Sequence, residues 1–189
     1  AALQPEQVAQ NACLIYDASG RSWQLPYLGR NYRVEYPGGK IYDPEGNEVP
    51  LYLSILMLHY LVTADGTPLA GQWISYRHLP GGDIYIGPFH QRAIQPFLHS
   101  FGRQPENFCR AAAALGGIKG PGRGVNMIIP VFPRVPLSFI LWPGDEELPS
   151  SANILFDAQA SSYLPTEDYA HLPALVITEM KKYLEQHPD

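Results

Sequence analysis

Nineteen prolines among 189 residues constrain this chain more than any other feature of its sequence. Proline lacks a backbone N–H and fixes φ, so it ends or kinks helices and is confined to the margins of sheets. At about twice the usual share, these prolines cut the chain into short elements joined by stiff turns, which argues against a bundle of long helices. Only 16% of residues are charged while 46% are apolar, so the chain buries a core and does not remain disordered. The length predicts a single domain over residues 1–189.

Within those limits the pattern changes along the chain. Residues 4–14 predict a short helix with Pro5 in its first turn and Val8, Ala12 and Cys13 on one face. From Trp23 to Val49, the runs WQLPYL, YRVEY and KIYD alternate with glycine-containing turn signals and predict a three-stranded antiparallel meander. LYLSILMLHYLVTAD follows Pro50 and is polar only at Ser54, His59 and Thr63 before its terminal Ala-Asp, which predicts a buried central helix. GQWISYRHL and DIYIG read as two further strands around Pro80-Gly81-Gly82. Phe89, Ala93, Phe97 and Phe101 recur at four-residue spacing and predict a helix that Pro96 bends or splits.

Pro105 opens another helix, which Gly116 and Gly117 end. VNMIIPVF, PLSFILW and SANILFD are expected to be inner strands, and a last helix is expected from Thr166, as N-cap, to about Gln186. Strands thus arrive as hairpins and not in regular alternation with helices. The fold class predicted is α+β: a mainly antiparallel sheet, the N-terminal meander plus the C-terminal apolar strands, packed with the central helix and with further helices on one face.

The formal charge of −5 and a pI near 5.6 leave no basic footprint for nucleic acid. No apolar run reaches the 18 or so residues that span a bilayer, so no membrane association and a cytoplasmic location are expected. The N-terminus lacks a basic-then-apolar signal segment, and its abrupt start admits a short truncation. Cys13 and Cys109 are too few for a disulfide framework or an iron–sulfur cluster; two separate buried thiols are expected in preference to one bridge.

Several residues could carry chemistry. Trp142 leads into Asp145, Glu146 and Glu147, an acidic cluster after a buried strand that could bind a hard cation or act in acid–base work with Asp157 and Glu167. A solvated turn is the commoner role for such acids, and Asp157 is also placed to tie down a turn. His59 lies inside an apolar helix, where its ring must find a partner or face a cavity. The six histidines show no zinc-ligand spacing, so no metal site is assigned. Lys119 and Arg123 in the loop GGIKGPGRG could cradle an anion, although the order of a phosphate-binding loop is absent and a mobile connection is the plainer reading. Arg77 could clamp an anion or pair with an acidic turn.

LHYL around His59, WISYRHLPGG over residues 73–82, FPRVPLSFILWPGDEE over 132–147, LFD ending at Asp157 and YLPTED over 163–168 together resemble domain-of-unknown-function family 3786 of anaerobic bacteria. The resemblance brings no activity or cofactor with it. Some relatives are joined to cysteine-rich iron–sulfur modules, which implies anaerobic redox or corrinoid metabolism. This chain lacks those cysteines, so any cluster would belong to a partner.

The function expected is a cytoplasmic accessory domain that binds a small anionic ligand, a cofactor of unknown kind or a partner protein, an iron–sulfur protein among the candidates. His59, Arg77, Trp142, Asp145, Glu146 and Asp157 are expected to line its pocket, with Glu167 close by. The alternatives are an enzyme using a carboxylate and histidine pocket with Mg²⁺, and a scaffold subunit packing through an apolar surface. The oligomeric state is left open.

Overall fold

In the computed structural model, the residues described are 4–145 and 147–188. Their strands form two antiparallel sheets. The first is a meander in sequence order, β1 (Ile15–Asp17), β2 (Ser22–Tyr27), β3 (Arg30–Glu35) and β4 (Ile41–Tyr42). It has one strand more than the sequence pattern predicts: β1 is a three-residue edge whose Ile15 points to solvent, so burial left no alternation there to read.

The second sheet holds β5 (Trp73–Ser75), β6 (Ile118–Lys119), β7 (Val125–Phe132), β8 (Val135–Trp142) and β9 (Ser151–Asp157), in the spatial order β5-β9-β8-β7-β6. The three longest apolar runs therefore sit innermost, as expected. Leu137, Phe139 and Leu141 of β8 are fully buried, and so is Ser138, whose hydroxyl donates to Asn126 Oδ1 at 2.9 Å. The sheets meet where Leu28 N–H donates to the Val131 carbonyl and the Tyr27 ring packs on Phe132.

Around the sheets lie α1 (Pro5–Ala12), α2 (Leu51–Thr63), α3 (Gly82–Phe89), α4 (Gln95–Phe101), α5 (Pro105–Ala114), α6 (Thr166–Tyr169) and α7 (Leu172–Gln186). Phe89, Ala93, Phe97 and Phe101 are all buried, and Phe97 packs on Phe101, Phe108 and Phe139. Between α3 and α4 a π turn, His90–Ile94, widens the helix just before Pro96, whose missing N–H already interrupts the α ladder. The helices α3 and α4 thus continue one another, and the stripe predicted from Phe89 onward starts earlier than the sequence reading placed it.

The segment DIYIG is helix, not strand. Gly81 adopts φ +71°, and a Cβ on Gly82 would lie 2.1 Å from the Tyr76 carbonyl oxygen, so this glycine pair lets the chain reverse tightly and start α3. The strand before it is also shorter, because Tyr76–His78 form a 3₁₀ turn.

The last helix is divided. Pro173 cannot donate an N–H to the turn before it, so α6 ends and α7 starts with Pro173 in its first turn. Thr166 lies inside α6, and Pro165 occupies the N-cap without a side-chain bond. Cys13, expected on a buried face, is exposed at the left-handed C-cap of α1, while Cys109 is half-buried and both thiols are free.

Helix α2 is buried on one side only. Leu53, Leu56, Met57, Tyr60 and Leu61 face the core, whereas Leu51, Tyr52, Ile55 and Val62 are exposed. An apolar sequence has no polar face to mark the solvent side, so neighbours decide burial. Tyr60 fixes the inner face: its hydroxyl donates to the Ala12 carbonyl at 2.7 Å and accepts the Arg134 N–H, while its ring stacks on Phe132. Among the described residues, no helix is long and apolar enough to cross a membrane.

Candidate functional site

Tyr52, Ile55, Leu56 and His59 follow the i, i+3, i+4, i+7 spacing of one helical face, and on α2 this face forms one wall of a cleft of about 510 Å³. The opposite wall comes from α6 and α7, through Glu167, Asp168, His171, Ala174 and Leu175. The single turn of α6 is anchored from outside, since the Tyr76 hydroxyl donates to the Thr166 carbonyl at 3.0 Å and the Tyr169 hydroxyl to the Ala160 carbonyl at 2.8 Å. Those bonds set Asp168 facing α2.

At the polar end, His59 Nδ1 lies 2.7 Å from Asp168 Oδ2, with the Asp168 side chain only 12% exposed and the ring 43% exposed. An ionised carboxylate accepts and cannot donate, so the proton of this bond sits on Nδ1. Nε2 then presents its lone pair on the open side of the ring whenever His59 is neutral. No protein partner takes Nε2 among the described residues.

A second ring borders the same cleft. Arg92, in the π turn, donates from Nη1 to His171 Nε2 at 3.0 Å. A guanidinium has only donors, so His171 must accept at Nε2 and carry its proton on Nδ1. Two histidines thus flank the cleft with their tautomers set by opposite partners, a carboxylate for His59 and a guanidinium for His171. The remaining lining is mostly apolar, the usual constitution of a small-molecule site.

The residues singled out from sequence are distributed over several places. His59 and Glu167 share the cleft above. Arg77 and Trp142 line another, of about 350 Å³, together with His90 and Asn153; Arg77 pairs with Asp83 at 3.4 Å and Trp142 is 38% exposed. Asp145 lines a third, beside Arg103 and Glu106. Its Oδ1 accepts the N–H groups of Leu148 and Glu147 at 2.8 and 2.9 Å, bonds that hold its carboxyl below the usual carboxylate range. Glu146 lies outside the described residues.

Asp157 is 3% exposed, and its two oxygens accept the N–H groups of Ala70, Gly71 and Gln159 at 2.8–3.0 Å. That is the turn-tying role anticipated as its plainer reading. Lys119 is in β6 opposite Met127, and Arg123 in the following loop is exposed; the buried Asn126 holds this loop by donating to the Pro121 carbonyl. Among the described residues, no three His, Cys, Asp or Glu side chains are grouped to hold a metal ion.

Sequence reasoning missed Asp168, His171 and Arg92 as site residues. Asp168 stands in the first turn of α6, where favouring the helix dipole is role enough for a carboxylate, yet a histidine inside an apolar helix demands a polar partner, and YLPTED supplied one. The α2 spacing of Tyr52, Ile55 and His59 was legible too. The pairing of Arg92 with His171, 79 positions apart, left no local signal.

No curated protein and no solved structure matches the chain. The model of the family described as Domain of unknown function (DUF3786) matches residues 4–179, nearly the whole length. The chain therefore belongs to the DUF3786 family, a family of unknown function.

Proposed function

We propose that this protein binds a small molecule in the cleft between α2 and α6–α7, with His59 as its principal polar contact. The observation that carries the proposal is the 2.7 Å bond from His59 to the nearly buried Asp168, which orients a partly exposed ring at the end of a mainly apolar cleft. A bonded ring costs less ordering on binding than a free one, so the site is prepared in advance. Its setting in anaerobic redox or corrinoid-linked metabolism, beside an iron–sulfur partner, is part of the same proposal and rests on the resemblance to relatives joined to iron–sulfur modules.

The test is a screen of neutral, cationic and anionic aromatic fragments against the ¹⁵N-labelled chain. Binders are expected to shift the amides of Tyr52, Ile55, His59 and Leu175, and His59→Ala is expected to weaken them about tenfold, the worth of one well-placed polar contact. Shifts elsewhere, or affinity indifferent to H59A, would remove the proposal.

The same bond favours a second reading, proton transfer, because a carboxylate-held imidazole with a free Nε2 is the arrangement of a general base. Mass spectrometry of bound compounds recovered after incubation separates the two readings. A compound changed by the wild type but not by H59A indicates catalysis, and one returned intact indicates binding alone.

A further inference from the structure

The chemistry of the polar end narrows the ligand class, an inference that rests on the cleft being a binding site. Around His59 the polar groups are acceptors: the lone pair of His59 Nε2, the carboxylate of Asp168 behind it, and the carboxylate of Glu167 at the rim; the donors of the lining are the Tyr52 hydroxyl and the Nδ1–H of His171. Glu167 is exposed, and among the described residues its carboxylate forms no ion pair or side-chain hydrogen bond. Among the described residues, no lysine or arginine lines the cleft; Arg92 beside it is already engaged by His171, and Lys182, which acts on Tyr52, is paired with Glu179. An anion entering here would meet like charge and find no cation of its own. A protonated amine would meet two acceptors that lack a donor, while the rest of the molecule packs on Tyr52, Ile55 and Leu175.

We infer that the cleft recognises an amphiphilic amine: a primary or secondary ammonium group placed between His59 Nε2 and Glu167, attached to an aromatic or branched aliphatic body that lies along α2. The volume of about 510 Å³ suits a ligand of drug-like or smaller size and falls in the range of small-molecule sites. This reverses the charge anticipated from sequence, where Arg77 was counted toward the pocket and Lys119 and Arg123 were read apart from it, as an anion-cradling loop. The structure places Arg77 in a different cleft, and Lys119 and Arg123 in and after β6.

The experiment compares three probes of matched body, 2-phenylethylamine, 2-phenylethanol and phenylacetate, titrated by NMR into the full chain and into Glu167→Gln. The amine is expected to bind about tenfold more tightly than the alcohol, the worth of one charge-assisted hydrogen bond, and phenylacetate more weakly still. E167Q is expected to reduce amine affinity about threefold, as befits an exposed charge pair, and to leave the alcohol unaffected. Because Glu167 is exposed, this variant keeps the fold, and the alcohol serves as an internal check of the cleft. If the alcohol or phenylacetate binds at Tyr52 and Ile55 as tightly as the amine, the amine assignment is overturned and the cleft remains a binding site. If none of the three binds at millimolar concentration, both the assignment and the binding proposal fall.

Discussion

Replacing Asp157 with alanine separates a structural carboxylate from a functional one. Its oxygens accept three backbone N–H groups: Oδ1 those of Ala70 at 3.0 Å and Gln159 at 2.9 Å, and Oδ2 that of Gly71 at 2.8 Å. Together they fasten the segment before β5 to the end of β9, where Trp73 pairs with Asp157. A hydrogen bond to a charged acceptor stabilises a fold by roughly 1.5–3 kcal/mol, but water can reach Ala70 and Gly71 once the carboxylate is gone, so about 1 kcal/mol per bond is the better scale. The expected loss is therefore about 3 kcal/mol, or roughly 6–12 °C in Tm for a chain of this size.

Asparagine is expected to fall between aspartate and alanine. Its single carbonyl oxygen can keep the Oδ1 pair, while its NH₂ would face the Gly71 N–H. The assay is urea unfolding, in which the midpoint should drop with the slope unchanged. Amine binding should persist in the folded fraction. A loss below about 1 kcal/mol for D157A, or a selective loss of ligand binding with stability intact, would refute the structural assignment.

Phe97→Ala should cost about 3–5 kcal/mol, because the ring is wholly buried against Phe101, Phe108 and Phe139; thermal unfolding measures it. Tyr60→Phe should cost about 1–2 kcal/mol, since the Ala12 carbonyl and the Arg134 N–H both lose their partner; chemical denaturation reads the difference. Burial pushes the phenols of Tyr27, Tyr60 and Tyr169 well above the ordinary value of 10.0, and that of Tyr76 up to about 12. These groups are held neutral in the fold and ionise near pH 10 when unfolded, so their stabilisation is complete below pH 10 and is lost as pH rises through 12. Absorbance of tyrosinate and circular dichroism should then change together in one cooperative alkaline transition; gradual titration of all tyrosines near pH 10 with the fold intact would contradict this.

Most of the fold was legible because its signals are local. The apolar runs of β7, β8 and β9 marked themselves as inner strands by near-continuous β-branched and aromatic content, and the Phe89 to Phe101 stripe declared a helix by its four-residue spacing. DIYIG misled because three consecutive β-branched and aromatic residues, Ile84, Tyr85 and Ile86, fit a short strand, whereas Tyr85 also stands four residues before Phe89 and belongs to the helical stripe. The solvent side of α2 was obscured, since the exposed Leu51, Tyr52, Ile55 and Val62 are as apolar as the residues that face the core.

The site was legible in one half. His59 declared a need for a partner, and that partner came from α6, 109 positions away. Nothing in the order of residues distinguishes an Asp168 that reaches across to α2 from an Asp157 that ties a turn. Only the placement of α6, fixed by the hydroxyls of Tyr76 and Tyr169, decides between them. The cationic residues scattered for the same reason: each lies at a loop or strand end whose direction depends on long-range pairing.

Long-range ¹H–¹⁵N NMR of the imidazole rings, recorded with and without saturating 2-phenylethylamine, asks most directly whether Asp168 holds His59 so that its outer nitrogen meets a ligand. The account predicts that neutral His59 has a protonated Nδ1 and a bare Nε2, that the probe shifts the Nε2 resonance most, and that Asp168→Asn randomises the tautomer. A proton resident on Nε2 in the wild type, or an His59 spectrum unmoved by the probe, would contradict it.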